Sequence, residues 1–354
     1  MNKYTKIIIG VIVVVLIVIV IQSGKTETGA IKIGAIIPAT GFASLIGEDI
    51  QKGMNMAVEE LNSKGVKVEV IFENSAGLPV NAVSSAKKLI DIDKVDAIHV
   101  DLTGPGSAVS PIALQANIPL IYNGIDGTLI AKNPFMVKVF VNVSNECGYF
   151  AKYSKDNGIK KVAYIGPKAD YVMQCVTALK DVLGSDNVIS EEVSSPAVVD
   201  FRTEIVKTKQ WGAEAIVTMM YEQGSNALLK QKTDLNYTVP VFCIKTDCLS
   251  KKITDSVPAS GLRNNVVFDF EYDEDFMKKV YSKYPNTTNA EKSMIATGYD
   301  SVMYMVNAIE KCGKGKPECV IENITKSDYK SVIKSNGFGD DRMFDPITTH
   351  EVVE

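Results

Sequence analysis

The stretch that decides the fold is Ile31-Lys-Ile-Gly-Ala-Ile-Ile-Pro-Ala-Thr-Gly41, followed after a short loop by the segment Glu48 to Lys64. Its first seven residues are rich in β-branched side chains, which predicts a buried strand at Ile31 to Ile37. The segment Glu48 to Lys64 has apolar residues three or four positions apart, which predicts an amphipathic helix, and Gly65 is a typical helix end. The inward side chains of this helix are predicted to be Ile50, Met54, Ala57, Val58 and Leu61.

The alternation of strand and helix continues along the chain and then restarts after residue 140. Alternating strands and helices imply right-handed βαβ units and parallel sheets, so we predict an α/β fold of two doubly wound parallel-sheet lobes. The tail contains a predicted strand at Asn265 to Phe270, a long helix at Ala290 to Lys311, a second helix near Tyr329 to Ser335 and a terminal β-hairpin. This tail is too small to stand alone, so we expect it to cross back and complete both lobes.

Length and charge restrict the class of protein. A chain of 354 residues exceeds what one hydrophobic core usually serves, which favours two lobes. The formal charge of −4 and the pI near 5.5 argue against a nucleic-acid partner, because such a partner demands a basic surface.

The N-terminus carries an uninterrupted apolar run from Ile7 to Ile21, preceded by Lys3 and Lys6. A charged start followed by an apolar run is typical of a secretory signal or signal-anchor. We therefore expect residues 1–29 to be a signal-anchor and linker, and the rest of the chain to be extracytoplasmic, attached to the membrane through residues 7–21. No cysteine follows the run, which excludes a lipoprotein anchor.

Cysteine usage agrees with that compartment, because an even number of cysteines outside the cytosol favours disulfides. The tightest local pair is Cys312 and Cys319, separated by a Gly- and Pro-containing turn, and Cys243 and Cys248 form another short loop; the connectivity stays open at this point. The full set is Cys147, Cys175, Cys243, Cys248, Cys312 and Cys319.

Enzyme and metal signatures are missing from the sequence. It contains no Walker loop, GxSxG elbow, HExxH or helix-opening GxGxxG, and neither His99 nor His350 has a nucleophile beside it. No CxxC occurs, so a zinc site is disfavoured. We predict a protein without catalytic residues, metal or cofactor.

Candidate ligand contacts lie in the loops that follow the predicted strands, because doubly wound sheets bind ligands beyond the carboxyl ends of their strands. Thr103-Gly-Pro-Gly-Ser107 offers hydroxyls and backbone N–H groups to a carboxylate; the alternative is an ordinary turn with a Ser cap. Asp126 and Asp247 are positioned to hold an ammonium group, or are solvated turn residues. Tyr171 and Tyr221 are positioned to cover a ligand, or are half-buried surface residues.

Several motifs together resemble the branched-chain amino acid binding proteins, type I periplasmic binding proteins that feed ABC importers. The opening Ile31 to Gly41, then Gly47-Glu-Asp-Ile-Gln-Lys-Gly53 and Ala57-Val-Glu-Glu-Leu-Asn62, look like the start of that family. Further matches are Lys161-Val-Ala-Tyr-Ile165, Asp170-Tyr171, Phe201-Arg-Thr-Glu-Ile205, Gly298-Tyr-Asp-Ser-Val302 and Phe344-Asp-Pro346.

The resemblance implies two lobes joined by three crossing segments, near Val139 to Val143, near Val266 to Phe270 and near Pro346. Lobe one would then comprise residues 30–140 with 270–345, and lobe two residues 141–269 with 346–354. The resemblance also implies a small-molecule ligand, an ABC permease as partner, and hinge closure over the ligand.

The family's ligand contacts map onto particular residues of this chain. Its carboxylate-binding loop matches Ser107, and extends to Thr103 and Gly106. Its next loop matches Gly124 and Asp126, its lobe-two tyrosines match Tyr171 and Tyr221, and its ammonium-binding acid matches Asp247.

Two positions depart from the family pattern. Ile46 stands where the family has an aromatic residue, so that wall of the pocket is expected to be aliphatic, and Asp126 stands at a hydroxyl position. Both changes put specificity for leucine, isoleucine or valine in doubt. The predicted function is an extracytoplasmic solute-binding protein for an amino acid or similar small polar ligand; the alternatives are a ligand-sensing receptor ectodomain and an enzyme on the same fold.

Overall fold

The computed structural model describes residues 29–244, 248–288 and 291–354, in which the chain forms two large, mainly parallel sheets flanked by helices and one small two-stranded sheet. The predicted α/β class with two parallel-sheet lobes is confirmed. The apolar run 7–21, predicted to be a signal or anchor, lies outside the described residues. Inside them, no helix has both the length and the apolar character needed to cross a bilayer.

Lobe one is built on a five-stranded parallel sheet. Its strands are β1 (Ile31–Ile37), β2 (Val68–Asn74), β3 (Ala97–Asp101), β4 (Leu120–Asn123) and β5 (Met136–Lys138). They are connected by α1 (Ser44–Ser63), α2 (Pro79–Asp91), α3 (Thr103–Gln115) and a 3₁₀ helix at Gly127–Lys132. The strand order β2-β1-β3-β4-β5 reverses direction between β1 and β3, and a ligand site is expected beyond the carboxyl ends of the strands at such a point.

Lobe two is built on a six-stranded sheet in which only the edge pair is antiparallel. In spatial order its strands are β13 (Thr348–Val352), β10 (Val266–Phe270), β9 (Val241–Ile244), β8 (Ala215–Val217), β6 (Val162–Pro167) and β7 (Val188–Val193). Its helices include α4 (Val143–Asp156), α5 (Asp170–Leu183), α6 (Arg202–Trp211), α7 (Glu222–Asp234), α8 (Lys251–Ser256) and α9 (Ala259–Leu262), with a 3₁₀ helix at Ser185–Asn187.

The chain passes between the lobes at three places. The first crossing is 139–142, between β5 of lobe one and α4 of lobe two. The second is 271–273, after which α10 (Glu274–Lys283) and α11 (Lys292–Cys312) follow, and α11 packs on α1. The third lies at Ile347, between β12 (Phe344–Pro346) and β13. The second crossing comes later than the predicted 266–270 because that stretch is the strand β10, paired with β9 on one side and β13 on the other.

The C-terminal part differs from the sequence prediction. The helix predicted near Tyr329 to Ser335 is wrong, because α12 occupies Pro317–Thr325 and a loop follows it. The buried carboxylate of Asp300 accepts hydrogen bonds from the Tyr329 hydroxyl at 2.6 Å and the Val332 N–H at 3.0 Å, so this loop is tied down without helical bonds.

The terminal β-hairpin is only partly as predicted. Strand β11 (Ser335–Phe338) pairs with β12, whereas β13 leaves to pair with β10 in lobe two. The last strand of the chain therefore completes the other lobe.

Two glycines of the opening and C-terminal motifs serve packing. A Cβ added to Gly53 would lie 1.9 Å from the carbonyl oxygen of Ile295, and one added to Gly298 would lie 2.3 Å from that of Ile50. Helices α1 and α11 therefore cross at backbone contact, and only glycine fits at these two positions. Gly47 is similarly close to Pro38, 2.5 Å from its carbonyl oxygen.

All six cysteines are paired. The bonds join Cys147 to Cys175, Cys243 to Cys248 and Cys312 to Cys319. The first bond connects α4 to α5 in lobe two, with Cα atoms 5.1 Å apart. The second joins Cys243 of β9 to Cys248, five residues further along the chain.

Candidate functional site

A cavity lies where the carboxyl ends of the two sheets face each other. Most of its wall comes from lobe one, with Met219 and Tyr221 following β8 on the lobe-two side and Phe140 from the first crossing. The lining residues are Ile46, Leu102, Thr103, Asn123, Gly124, Ile125, Phe140, Met219, Tyr221 and Met294.

Of the residues predicted from sequence, the cavity brings together Ile46, Thr103, Gly124 and Tyr221. Thr103 lines it as the first residue of α3. The Gly-Pro-Gly stretch, for which an ordinary turn is the alternative interpretation, lies in the first turn of α3. A proline is tolerated there because the N–H groups of the first helical turn have no intrahelical acceptor. Ser107 is consequently exposed one turn into the helix and does not line the cavity.

Leu102, directly before α3, has an unusual backbone for a leucine. Its φ of 71° lies in the left-handed region, which costs roughly 1–3 kcal/mol for a residue with a side chain. Its N–H donates to the carbonyl oxygen of Asn123 at 2.8 Å, and its own carbonyl accepts from Gly106 at 2.9 Å. This conformation brings the end of β3 against the end of β4 and turns Thr103 into the cavity wall.

Tyr122 on β4 lies beneath this wall and was missed by sequence reasoning. Its ring occupies the space of two absent side chains, because a Cβ on Gly106 or Gly124 would lie 2.5 Å and 2.4 Å from ring atoms. Its hydroxyl donates to Oγ1 of Thr103 at 3.1 Å and accepts from the N–H of Asp126 at 3.3 Å. Gly106 is thus a packing partner of Tyr122; the one local signal in the sequence is Gly124, two residues after the tyrosine.

Asn123 is the second polar side chain of the wall. Its Nδ2 donates to Oδ1 of Asp101 at 2.6 Å, and the same oxygen lies 3.0 Å from Nε2 of His99. All three side chains are buried, as expected for His99 in mid-strand. These buried hydrogen bonds orient the Asn123 side chain, and the Asp101 carboxylate lies behind that side chain.

Asp126 lies outside the cavity wall, and its carboxylate accepts hydrogen bonds from two other residues. Oδ1 accepts from the N–H and hydroxyl of Thr128 at 2.9 Å and 2.8 Å, which caps the 3₁₀ helix. The same oxygen accepts from Nε2 of Gln174 on α5 at 3.0 Å, a hydrogen bond from lobe two to lobe one. The predicted role of Asp126 in holding an ammonium group stays a prediction.

A second contact joins the lobes at the rim of the cavity. The rings of Phe42 and Tyr221 lie 5.2 Å apart, centroid to centroid. Phe42 thus supplies lobe one with an aromatic side chain four residues before Ile46, where the sequence predicted an aliphatic surface. The structure therefore holds the lobes in contact across the cleft.

The described wall is largely apolar and uncharged. None of the described residues that line the cavity has an ionisable acid or base, apart from the Tyr221 phenol. The predicted ammonium ligand Asp247 and the side chain of Tyr171 lie outside the described part of the chain. The cavity therefore offers a large apolar surface and a small polar patch formed by Thr103, Asn123 and the Gly124 backbone.

Comparison with known proteins gives the family. A family model described as "Periplasmic binding protein" matches residues 30–353. Leu/Ile/Val-binding protein homolog 3 of Brucella melitensis is 28% identical over 222 residues, which cover 58% of this chain and 58% of that protein. The chain therefore aligns with little more than half the length of this relative.

Solved structures show the same fold. The substrate binding protein LivJ of Streptococcus pneumoniae, in complex with isoleucine, matches with a TM-score of 0.80 at 20% identity, covering 92% of this chain and 96% of that one. A solute binding protein of Rhodopseudomonas palustris, in complex with 3,4-dihydroxybenzoic acid, matches with a TM-score of 0.80 at 20% identity, covering 92% and 93%. The family model spans nearly all described residues, and the structure has two sheet-based lobes, three crossings and a cavity between facing strand ends. The chain therefore belongs to the periplasmic binding protein family, in its type I form.

Proposed function

We propose that the chain is an extracytoplasmic solute-binding protein that captures a small organic acid with an apolar body between its lobes. The proposed lobes are residues 30–140 with 270–345, and 141–269 with 346–354. The proposed partner is an ABC permease that accepts the ligand-bound, closed form. In this proposal the protein binds its ligand and does not transform it.

The observation that carries the proposal is the uneven chemistry of the cavity wall. Ile46, Met219 and Met294 present an apolar surface suited to a hydrocarbon or aromatic body. The polar groups are concentrated at the ends of β3 and β4. A ligand with one polar end and one apolar end matches this arrangement.

The polar patch suits a carboxylate. Thr103 brings a hydroxyl to the wall, and its N–H, in the first turn of α3, has no intrahelical acceptor. We assign the carboxylate contact to Thr103, since Ser107 is exposed and does not line the cavity. Gly124 contributes backbone polar atoms on the neighbouring loop.

Two ligand classes fit this surface: branched-chain amino acids and aromatic carboxylic acids. One structural relative holds isoleucine and another holds 3,4-dihydroxybenzoic acid. The two classes differ in the ammonium group, which needs an acidic partner when buried. We propose Asp247 for that role, with Tyr171 and Tyr221 covering the ligand from lobe two.

A thermal-shift and calorimetry screen tests the proposal. The full-length chain is screened with L-leucine, L-isoleucine, L-valine, benzoate and 4-hydroxybenzoate. A ligand at 100 times its dissociation constant adds about 2.7 kcal/mol to the free energy of unfolding. If no organic acid in the set raises the melting temperature, the proposed function is wrong.

The variant Asp247→Asn separates the two ligand classes. For an amino acid it removes the partner of a buried ammonium group, so the affinity falls by about 2 kcal/mol or more. For benzoate it changes the affinity little. Unchanged leucine binding in this variant would remove Asp247 from the site while leaving the cavity in place.

A further inference from the structure

We propose that Lys138 is the positioning residue of the hinge: its buried ammonium group holds the first crossing segment, and with it the Phe140 part of the cavity wall, in the arrangement where the lobes touch. Lys138 ends β5, the last strand of lobe one, and lies outside the cavity wall. The effect on ligand affinity rests on the proposed function; the effect on the hinge does not.

The contacts of Lys138 are directed to the crossing itself. Its side chain is fully buried, and Nζ donates to the carbonyl oxygens of Phe140 and Val141, the residues two and three positions further along. Its own N–H donates to the carbonyl of Arg342 at 3.1 Å. One side chain therefore ties the crossing to the edge of the lobe-one sheet.

Phe140 connects this hinge contact to the ligand site. It lines the cavity and is 4% exposed, and its ring packs edge-on against Phe270, at 5.5 Å between centroids. Phe270 ends β10, where the second crossing begins. A change in the hydrogen bond from Lys138 to the Phe140 carbonyl therefore alters both the cavity wall and the packing at the second crossing.

The ammonium group has no close ionic partner within the described residues. Acidic groups act on it from a distance: Asp126 of the 3₁₀ cap, Asp341 of the C-terminal segment and Glu146 of α4. Glu146 is itself 2.9 Å from His350 of β13. The guanidinium of Arg342 nearby is directed to backbone carbonyls of residues 130, 133 and 136.

Burial lowers the pKa of Lys138 from its usual 10.5 to about 7, and the three acids only partly oppose this. A charged donor makes hydrogen bonds roughly twice as strong as a neutral one. The hydrogen bonds from Lys138 to the first crossing therefore weaken as pH rises through about 7. The effect on global folding has the opposite sign. Because the folded-state pKa is lowered, the site's contribution to overall stability is lost as pH falls from 10.5 towards 7.

Hydrogen exchange of the ligand-free, full-length chain tests the hinge directly. Amide protection factors, corrected for intrinsic exchange, are measured for a peptide spanning 137–145 at pH 6 and pH 8.5. In the wild type we expect protection to fall by about fivefold at the higher pH, because the charge-assisted bonds are lost. In Lys138→Met we expect low protection at both pH values.

Two further variants make the result specific. Lys138→Arg stays charged at both pH values, so its protection is expected to be pH-independent, and it serves if the methionine variant does not fold. Lys232→Met is the matched control, because Lys232 is a second buried lysine whose Nζ donates to Val239 in lobe two, away from the cavity. It should reproduce the wild-type protection at 137–145.

The ligand arm uses calorimetry with L-leucine and with benzoate at the same two pH values. We expect about fivefold weaker binding at pH 8.5 in the wild type and no such change in Lys138→Arg. If neither probe binds, the proposed function is in doubt while the exchange data still decide the role of Lys138. The same pH-dependent protection in Lys138→Met as in the wild type would overturn the proposal.

Discussion

The two walls of the cavity are built differently. On the lobe-one side, Thr103 and Asn123 are oriented by hydrogen bonds to Tyr122 and Asp101, which are themselves buried. On the lobe-two side, Met219 and Tyr221 present mainly apolar surface, and the ring of Tyr221 meets Phe42 of the opposite lobe. Polar groups that are already oriented favour the first contact with a ligand, because little ordering entropy is lost on binding.

This difference indicates an order of events. Lobe one is suited to recognise the polar end of the ligand, and lobe two is suited to exclude water from its apolar body. Damage to the lobe-one wall should therefore reduce affinity and stability together, whereas damage to the interlobe contacts should reduce affinity alone. The following predictions test that division.

The largest effect is expected from Gly106→Ala, which affects the support of the lobe-one wall. The added Cβ would lie 2.5 Å from the buried Tyr122 ring, which is surrounded and cannot move freely. Overpacking of this kind costs about 1–3 kcal/mol. Chemical denaturation should show this loss, and calorimetry should show weaker ligand binding because Tyr122 supports Thr103.

Gly148→Ala is the matched control for that substitution. Gly148 lies in α4, and a Cβ there meets nothing within 4 Å. Replacing a helical glycine with alanine in open space stabilises by roughly 0.5–1 kcal/mol. Equal stabilities of the two variants would mean that Tyr122 moves aside and that the lobe-one wall is not rigid.

The second effect is a pH dependence carried by lobe one. Burial raises the pKa of Asp49 on α1 to about 7 and that of Asp300 on α11 to about 6. For an acid with a raised folded-state pKa, the stabilising contribution is full below the unfolded pKa and is lost as pH rises through the folded value. The free energy of unfolding should therefore decrease between pH 5 and pH 7, by an amount on the order of 2 kcal/mol for Asp49. Above pH 7 the lowered pKa of Lys138 acts in the opposite direction.

Asp49→Asn should flatten that decrease, as measured by urea denaturation at several pH values. Lys232 in lobe two provides the contrast: burial lowers its pKa to about 8, so its contribution changes mainly above that pH. A stability that stays constant from pH 5 to pH 7 in the wild type would contradict the prediction that the buried carboxyl groups of lobe one carry this pH dependence.

A smaller effect is expected from Thr103→Val. Valine has a similar shape but cannot accept the hydrogen bond from the Tyr122 hydroxyl, and it offers no hydroxyl to a carboxylate. We expect a loss of about 1 kcal/mol in stability and about a tenfold loss in affinity. Calorimetry and denaturation measure the two quantities separately.

Thr208→Val provides the same chemical change in lobe two. Thr208 on α6 is buried, and its hydroxyl has no hydrogen-bond partner among the described residues. Its replacement should leave affinity unchanged and stability equal or higher, since burying an unpaired hydroxyl costs free energy. Equal losses of affinity in both variants would show that the Thr103 hydroxyl has no special role.

The fold was largely predictable because hydrophobic periodicity reports on which face of an element is buried. The alternation from Ile31 onward predicted both sheets, and the spacing of cysteines pointed to two of the three bonds, Cys243 to Cys248 and Cys312 to Cys319. The loop after α12 could not be predicted, because its backbone is satisfied by the carboxylate of Asp300, about thirty residues earlier in the chain. Local sequence carries no signal for such a contact.

The candidate site was less predictable for a related reason. Positions at strand ends identified Thr103, Gly124 and Tyr221, but the role of Gly106 depends on the ring of Tyr122, which only the fold brings beneath it. Asp126 looked like a ligand for an ammonium group because of its loop position. Its carboxylate contacts Thr128 and Gln174, and the second of these lies on the other lobe, a contact for which local sequence has no signal. The ammonium-binding role stays a prediction.

The smallest effect is expected from Gln174→Ala, which removes the interlobe hydrogen bond to Asp126 and leaves both walls intact. A half-exposed hydrogen bond contributes about 0.5–1 kcal/mol, so affinity should fall by about two- to fourfold, through faster ligand release, with no change in stability. Met173→Ala is the control, since Met173 is the preceding residue of α5 and is 50% exposed. Stopped-flow release measurements distinguish the two variants. A loss of stability in Gln174→Ala equal to that in Thr103→Val would mean that the interlobe contacts support the lobes themselves, and the division between a recognising lobe and a closing lobe would fail.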